Sequence, residues 1–379
     1  MALCTLLLTT SGWAHDSFSY GGIYRSRDMG AIWVGAAAGL FLRSATSAAI
    51  DPVDPTHILL GGDTGLLRTR NGGRTWLAEA TALVPGPITA MSFALDGRSA
   101  LASGPAGTFR WANGQWSLVD APGGAVPARS ILPGFAPGEL FLLGRTRLFR
   151  SSDGGASFVR LDDDQPSTAR FTTFVTTAPP AEHLLAIVDH RVKVSTDRGR
   201  HWRDISPTAG AHDTIAVDAT TPGRIWTAAA DRLYRSDDQG QTWQPVGNPL
   251  PEAETPMRDI LADPEGRTIL VTSHRGLYRS ADGGASWNGQ IETLPAHQEA
   301  GKLVRRPGDP SLILAIFSMI PLEEVWRGAV ESADLLARPD PLRLAGLAGG
   351  AVLILSVVGL VTRWRRSAGP GNNAAKEAS

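Results

Sequence analysis

Short apolar stretches alternate along this chain with polar turns rich in glycine, aspartate and serine. The clearest turn lies between Tyr278 and Trp287, where Asp282 is followed at once by Gly283 and Gly284. Aspartate accepts hydrogen bonds from nearby backbone N–H groups, and glycine adopts a positive φ without strain. Leu277, Tyr278 and Arg279 lead into the turn and Ser286 and Trp287 follow it, so this stretch predicts a strand, a tight turn and a second strand.

The same turn recurs along most of the chain, at a period of about 40–45 residues that is typical of β-propellers. The carboxylate or amide positions of its complete copies are Asp28, Asn71, Asp153, Asp197, Asp238 and Asp282. The tryptophans that close the copies are Trp33, Trp76, Trp202, Trp243 and Trp287, and Phe158 closes the remaining one. A shortened copy runs from Trp111 to Trp116. We interpret these residues as structural, because each supports a turn or supplies a ring to bury.

The spacing leaves room for four strands in each repeat. Two strands precede the first long connection, and two more, Lys302–Arg306 and Leu312–Phe317, follow the last repeat. Joining these two pairs completes one blade, beside six whole blades between about residues 44 and 291. The sequence therefore predicts an all-β fold, a seven-bladed β-propeller over residues 15–320, closed so that no sheet edge stays exposed.

The repeated pattern S/T-x-D-x-G-x-T/S-W resembles the Asp-box, or BNR, repeat of sialidases, sortilin-type receptors and photosystem II assembly-factor propellers. The resemblance covers roughly residues 20–320. It implies that the Asp-boxes lie between the third and fourth strands of each blade, on the edge opposite the ligand face. The ligand face would then consist of the turns between second and third strands and the connections between blades.

Those turns carry charged residues in four consecutive blades. They are Arg145, Asp189, His190, Arg191, Asp231, Arg232, His274 and Arg275. If the arginines converge, they form a cationic rim suited to a carboxylate, an acidic glycan or an acidic peptide. The alternative is that exposed hairpin turns are simply polar.

The C-terminal region predicts a membrane anchor over residues 342–362. The stretch from Leu344 to Thr362 has no charged residue, and its helical length matches the hydrocarbon core of a bilayer. Arginines follow it at once, which places residues 363–379 in the cytoplasm by the positive-inside rule. Gly346 and Gly350 have the spacing of a helix-dimerisation pair, although small residues are common in such helices.

The segments on either side of the propeller complete this prediction. Residues 1–14 have the character of a signal-peptide remnant, with small residues at the cleavage positions but no basic residue before the apolar run. An ordinary apolar N-terminus is the alternative. Residues 321–341 have apolar positions at helical spacing and predict a helix and linker that leads to the membrane. The sequence thus predicts a single-pass protein of the cell membrane, with the propeller outside the cytoplasm.

Composition and motifs argue against several classes of function. The formal net charge is −1, so no overall field favours nucleic acid as a partner. The chain has no HExxH, GxSxG, CxxC or Walker motif, and its histidines lack metal-ligand spacing. We therefore expect no catalytic residue, no metal ion and no cofactor.

The sequence favours a non-catalytic propeller that binds a protein partner or an acidic ligand. It would act as an assembly factor for a membrane complex or as a surface receptor for peptides or glycans. The alternative is a sialidase-like exo-glycosidase, for which the resemblance implies an arginine triad, a tyrosine paired with a glutamate, and an aspartic acid. Tyr24, Tyr234 and Tyr278 fall in strands next to the Asp-boxes, which leaves only Tyr20 for that role.

Overall fold

Seven four-stranded antiparallel sheets follow one another along the chain as blades. The computed structural model describes residues 21–337, except 38–39, 41, 81–83, 85, 162–163, 178–180, 219–220, 252–255, 291–293, 296–297 and 307–308. The innermost strand of each blade contacts the innermost strands of both neighbours, and the last blade contacts the first. The predicted all-β, seven-bladed β-propeller is therefore confirmed.

The chain enters with β1 (Gly22–Ser26) and β2 (Val34–Gly35). Blades 1 to 3, each from the innermost strand outward, are β3 (Ala45–Ile50), β4 (Ile58–Gly62), β5 (Gly65–Thr69), β6 (Leu77–Glu79); β7 (Ala90–Phe93), β8 (Ser99–Gly104), β9 (Gly107–Ala112), β10 (Gln115–Val119); and β11 (Ser130–Pro133), β12 (Leu140–Leu143), β13 (Leu148–Ser151), β14 (Val159–Arg160). Blades 4 to 6 are β15 (Phe171–Thr176), β16 (Leu184–Val188), β17 (Arg191–Ser195), β18 (Arg203–Asp204); β19 (Thr214–Val217), β20 (Ile225–Ala229), β21 (Arg232–Ser236), β22 (Gln244–Val246); and β23 (Met257–Ala262), β24 (Ile269–Ser273), β25 (Gly276–Ser280), β26 (Asn288–Gly289). The last strands are β27 (Glu299–Arg306) and β28 (Asp309–Ser318).

Blade 7 joins the two ends of the described chain. Its strand order is β27, β28, β1 and β2 from the channel outward, so two C-terminal strands pair with two N-terminal ones. The junction is antiparallel, with Gly22 opposite Phe317 and Ser26 opposite Ile313. The predicted closing blade is therefore confirmed, and its two C-terminal strands are longer than predicted.

The core lies between neighbouring blades, which pack face to face. The second strands show this best, because β4, β12 and β16 are buried along their whole length. Their sequences, ILLGG, LFLL and LLAIV, are continuously apolar or glycine rather than alternating, as expected for strands covered on both faces. One cluster runs from Phe141 in blade 3 to Phe174 and Leu184 in blade 4.

The Asp-box is a closed network of short hydrogen bonds between the third and fourth strands. In blade 3 the Ser151 hydroxyl donates to Asp153 Oδ1 at 2.7 Å and accepts from the Gly155 N–H at 2.8 Å. The backbone N–H of Ser157 donates to Asp153 Oδ1 at 2.9 Å, and its hydroxyl donates to Asp153 Oδ2 at 2.6 Å. Gly155 has a φ of 87°, which explains the glycine at this position.

The shortened copy between Trp111 and Trp116 folds differently. Residues Asn113 and Gly114 alone join β9 to β10, with φ values of 52° and 80°. Two positive φ angles in a two-residue loop are typical of a type I′ hairpin turn. Blade 2 therefore keeps the strands of the repeat and replaces its Asp-box by a tight turn.

Three of the tryptophans that follow the boxes connect neighbouring blades through hydrogen bonds. The indole N–H groups of Trp76, Trp243 and Trp287 donate to backbone carbonyl oxygens about 40 residues earlier, at 2.8, 2.7 and 3.0 Å. Each acceptor lies just beyond the outermost strand of the preceding blade, as Ile205 does for Trp243. These three rings therefore bind blade to blade, whereas the indole N–H of Trp202 donates within its own box, to the carbonyl of Gly199 at 3.0 Å.

Helix α1 (Leu322–Ala337) follows the last strand, within the segment where a helix is predicted. Residues up to Ala333 belong to one compact unit with the propeller, and the contacts of α1 reported below lie within that unit. Among the described residues, no helix is long and apolar enough to cross a membrane. The predicted anchor 342–362 with Gly346 and Gly350, the tail 363–379 and the signal remnant 1–14 lie outside the described residues.

Candidate ligand-binding site

Every blade has two ends, and the Asp-boxes lie at one end while the turns between second and third strands lie at the other, as predicted. The Asp-boxes occupy one end, between third and fourth strands such as β13 and β14. The opposite end carries the turns between second and third strands and the entries into the innermost strands, and we call it the ligand face. Ser318, the last residue of β28, bridges to Ser44 just ahead of β3. Helix α1 begins four residues after Ser318, and it therefore starts at the ligand face.

The innermost strands surround a central channel with a volume of about 830 Å³. Five of these strands, β3, β7, β11, β15 and β19, contain no charged residue. Strands β23 and β27 differ, with the sequences MRDILA and EAGKLVRR. Near the ligand face they carry Arg258, Asp259, Glu299 and Lys302, which we call the charged arc. Charged residues within the described innermost strands are thus confined to two adjacent blades, 6 and 7.

Ion pairs and backbone hydrogen bonds order the charged arc. The guanidinium of Arg258 forms an ion pair with Glu299, whose side chain is almost fully buried. The N–H of Leu303 donates to Asp259 Oδ2 at 2.9 Å, which connects blades 6 and 7. Lys302 lines the channel. Its side chain is exposed to the open interior of the channel, which the surrounding blades enclose.

The protein around the arc shifts the pKa values of Arg258, Asp259 and Lys302 in the direction that favours their neutral forms. Burial lowers the pKa of Lys302, the charge of Asp259 opposes this shift, and the charge of Arg129 adds to it. Burial also raises the pKa of Asp259, against the opposing effect of Lys302. For Arg258, burial lowers the pKa, Glu323 opposes that change and Arg129 increases it. Arg129 is therefore close enough to both Arg258 and Lys302 to repel each of them at this mouth of the channel.

Helix α1 lies at the same mouth, where Arg129 makes two contacts with it. Arg129 precedes β11, and its two terminal nitrogens donate to the two carboxylate oxygens of Glu323 at 3.2 and 3.3 Å. Its guanidinium also lies over the ring of Trp326, 4.6 Å from the centroid. At the start of the helix the N–H of Leu322 donates to the carboxylate of Glu299. An acidic residue and an aromatic residue, one helical turn apart, are thus held by the propeller.

The predicted cationic rim is spread over the turns of blades 3 to 6. Arg145 donates through Nε to the carbonyl of Val126 at 2.9 Å. Arg191 is bound to Asp204 at 2.9 Å and to the carbonyl of Thr208 at 2.7 Å. These two arginines therefore hold their own blades and the loops beside them.

The other predicted rim residues lie closer to solvent. Asp189 accepts from the N–H of Arg170 at 3.0 Å, and Asp231 is half-buried. Arg232, His274 and Arg275 are exposed. His190 is the one member of the predicted rim that lines the central channel. None of the four rim arginines is among the described residues that line the central channel, and their role in binding stays a prediction.

The residues that gather at the channel mouth were not predicted from the sequence. Arg129, Arg258, Glu299, Lys302 and Glu323 carry no motif and lie far apart along the chain. A signal was nevertheless present, because β23 and β27 are the only innermost strands of the described chain with charged residues. Side chains at the start of an innermost strand can reach the channel mouth, so these positions were candidates once the strand order was assigned.

Few carboxylates of the described residues line the channel. Asp213 and Glu323 do so, and Glu323 is held by Arg129. Burial raises the pKa of Asp213, and the charge of His190 partly opposes this change. The described tyrosines, Tyr24, Tyr234 and Tyr278, lie in third strands and none of them lines the channel.

Comparison with known proteins gives one family-model match and several structural relatives. The BNR/Asp-box repeat model matches residues 234–245, which is the repeat of blade 5. A probable oligoxyloglucan-reducing end-specific xyloglucanase of Neosartorya fischeri is 30% identical over 144 residues, or 34% of this chain and 18% of the relative. The chain thus spans less than a fifth of the length of that curated relative.

Three solved structures share the fold at low sequence identity. YCF48 from Cyanidioschyzon merolae has a TM-score of 0.57 at 16% identity, over 73% of this chain and 97% of that one. A structure of YCF48 bound to a D1 peptide has a TM-score of 0.56 at 18% identity, over 72% and 93% of the two chains. The GH74 xyloglucanase from Xanthomonas campestris has a TM-score of 0.57 at 19% identity, over 75% and 53%. At these identities the likeness shows the fold alone.

Proposed function

Because this chain is an Asp-box repeat β-propeller, we propose that it is a non-catalytic binding module for a protein partner. Its ligand is an acidic segment of that partner, bound at the ligand-face mouth of the central channel. The rim residues predicted from the sequence, Arg232 and Arg275 among them, surround this mouth and extend the contact. The anchor predicted at residues 342–362 holds the propeller at a membrane, outside the cytoplasm, within reach of membrane proteins.

The observation that carries this proposal is the set of contacts that the Arg129 guanidinium makes. Its guanidinium already holds a carboxylate through both terminal nitrogens and an aromatic ring through its face. Planar, two-point binding of carboxylates is what arginine does best, and an aromatic neighbour adds to it. With Arg258 and Lys302 nearby, the mouth offers the same chemistry to an acidic protein segment. A fold relative, YCF48, has been solved with a bound peptide, which agrees with this use of the scaffold.

Capture of the tagged full-length protein from its native cells, with and without charge reversal, tests the proposal. Lys302→Glu reverses a charge inside the channel, and Arg74→Glu makes the same change at an exposed position of an Asp-box. We expect wild-type protein and Arg74→Glu to retain one partner in stoichiometric amount, and Lys302→Glu to retain about tenfold less, as is usual when a charge pair is lost from an interface. Equal retention by both variants would place the partner elsewhere.

The Arg232/Arg275→Ala variant, which keeps Arg191 and its bonds to Asp204 and Thr208, separates binding at the channel mouth from binding at the rim. Loss of the partner in this variant, with retention in Lys302→Glu, would assign binding to the rim. Loss in both would make mouth and rim one surface.

A glycosidase is the second candidate, because the xyloglucanases share the fold and one is 30% identical over part of the chain. Glycosidases need two carboxylates about 5–10 Å apart beside the scissile bond. Asp213 is the channel carboxylate suited to an acid, since burial raises its pKa. Release of sugar from xyloglucan oligosaccharides or fluorogenic sialosides, abolished by Asp213→Asn, would favour the enzyme over the binding module.

A further inference from the structure

We propose that α1 is an internal ligand of the propeller, and that the partner competes with it by presenting a helix of the same kind. Such a helix carries a carboxylate and, three residues later, an aromatic ring on one face. This inference rests on the proposed function and adds to it the pattern that the site recognises and the segment that blocks it.

The contacts of α1 are those of a ligand more than of a core helix. Its specific bonds come from Glu323 and Trp326 to Arg129 and from the N–H of Leu322 to Glu299. Leu322, Val325 and Trp326 are only half-buried, and the fully buried residues of the helix are the small Ala329 and Ala333. Little apolar surface therefore holds α1 against the propeller.

The ion pair that holds α1 is partly exposed. The side chains of Arg129 and Glu323 are 29% and 52% exposed, so water competes for both partners. Ion pairs of this kind contribute little to stability. An element held in this way is expected to leave its site in a minor population, roughly 0.1–10% of molecules. The site can thus open without unfolding of the blades, whose cores lie elsewhere.

Release of α1 would leave positive charge at the mouth. Arg129 would lose both of its described partners, and Arg258 would lose the opposing charge of Glu323. Within the described charged arc, Glu299 would remain paired with Arg258 and Asp259 would remain close to Lys302, so Arg129 would be the cation that has lost its described side-chain partners. An incoming segment must therefore supply at least one carboxylate, and the face of Arg129 favours an aromatic ring beside it.

Because α1 belongs to the same chain as the site, a partner must exceed a minimum affinity to displace it. Because α1 is joined to β28 by a few residues, its effective concentration at the site is in the millimolar range expected for short linkers. A partner segment with the same contacts and no others would bind weakly. A partner that also contacts the rim would displace α1. Binding would therefore require contacts at both the channel mouth and the rim.

The test uses the full-length chain and a fluorescein-labelled peptide with the sequence of residues 321–337. Binding is measured by fluorescence anisotropy. The Glu323→Gln/Trp326→Ala chain, in which α1 is weakened, should bind this peptide at least about tenfold more tightly than the wild-type chain. Glu324→Gln is the matched control, because it removes the adjacent exposed carboxylate of the same helix, and it should behave as wild type. A peptide that carries both substitutions should bind none of the chains.

Hydrogen exchange of the α1 amides gives a second, independent reading. Addition of the peptide to the wild-type chain should speed exchange in α1, because the peptide takes its place. If the double variant loses protection in α1 but binds the peptide no better than Glu324→Gln, α1 is not an internal ligand, while capture of a partner sensitive to Lys302→Glu would keep the proposed function. If α1 stays protected in the double variant, Glu323 and Trp326 do not hold it, and the inference is overturned.

Discussion

The Asp-box shows at the scale of single residues which property of each side chain the turn requires. In the second box an asparagine replaces the aspartate, and Asn71 Oδ1 still accepts from the Thr75 N–H at 2.9 Å. Its amide donates to the Thr75 hydroxyl at 2.7 Å, where Asp153 instead accepts from the Ser157 hydroxyl. The acceptor oxygen is thus essential to the turn, and the negative charge is not.

Charge nevertheless makes these turns sensitive to acid. Partial burial would raise the pKa of Asp153, but hydrogen bonds from Ser157, Ser151 and the backbone outweigh it and lower the pKa to about 2. Hydrogen bonds likewise lower the pKa of Asp238 and Asp282 to about 2. A depressed pKa stabilises the fold at pH values above the unfolded-state pKa of 3.8, and this stabilisation is lost as the pH falls towards 2.

We predict that Asp153→Asn is close to wild type at pH 7, and that its stability falls less than wild type between pH 4 and 2. Asp153→Ala should lower the free energy of unfolding by about 1–2 kcal/mol at pH 7, as the removal of a capping side chain does. Urea denaturation at several pH values, followed by circular dichroism, measures both effects. A difference between wild type and Asp153→Asn that does not change with pH would show that the pKa of this carboxylate is the same in the folded and unfolded states.

At the scale of blades, the fourth strand bonds one blade to its predecessor through an aromatic ring. Trp243 donates to the carbonyl of Ile205 at 2.7 Å and packs on the cluster between blades 4 and 5. In blade 3 the equivalent residue is Phe158, which packs on the preceding cluster without an N–H to donate. The ring is therefore present in both blades, and the hydrogen bond is an addition to it.

Substitutions of Trp243 should separate the contribution of the ring to the free energy of unfolding from that of the hydrogen bond. Trp243→Phe keeps a ring and loses one hydrogen bond, so we expect the free energy of unfolding to fall by about 1 kcal/mol. Trp243→Ala removes the ring as well and should cost about 3 kcal/mol. Denaturant midpoints with an unchanged m-value would measure these losses. Equal costs for the two variants would mean that the hydrogen bond, rather than the ring, joins the blades.

The contrast between local contacts and contacts far apart along the chain explains what could be predicted from the sequence. The blades were predictable because each Asp-box is a local device, with its serine, aspartate and glycine within a few residues of one another. The site was not, because Arg129, Arg258 and Lys302 come from three blades and meet only through closure of the ring. The helix was predictable from its spacing, but its position over the channel depends on Glu323 meeting Arg129, which no local pattern encodes.

For the whole molecule, the decisive feature is closure by the two ends of the described chain. An open array of repeats loses structure from its ends, because each unit contacts only its neighbours. Here the terminal blade consists of β27, β28, β1 and β2, so opening it would expose two blade faces at once. Stability of the ring should therefore depend on residues in β1 as strongly as on those in any central blade.

Ile23 tests this dependence. It is 1% exposed in β1 and packs in a cluster that also contains Ile58 of blade 1 and Leu314 of β28. We expect Ile23→Ala to lower the free energy of unfolding by about 2–5 kcal/mol, as is usual for a buried isoleucine. Val34→Ala, at an exposed position of the adjacent β2, should change it by less than about 0.5 kcal/mol.

Which blades lose hydrogen-exchange protection in Ile23→Ala is a sharper test of ring closure than the total loss of stability. If closure makes the ring one cooperative unit, Ile23→Ala should reduce hydrogen-exchange protection in the second strands of all blades by the same amount. Loss confined to blade 7 and its neighbours would instead show that the blades unfold separately. In that case the channel mouth, which takes Arg129 from blade 3 and Lys302 from blade 7, would depend on two independent units.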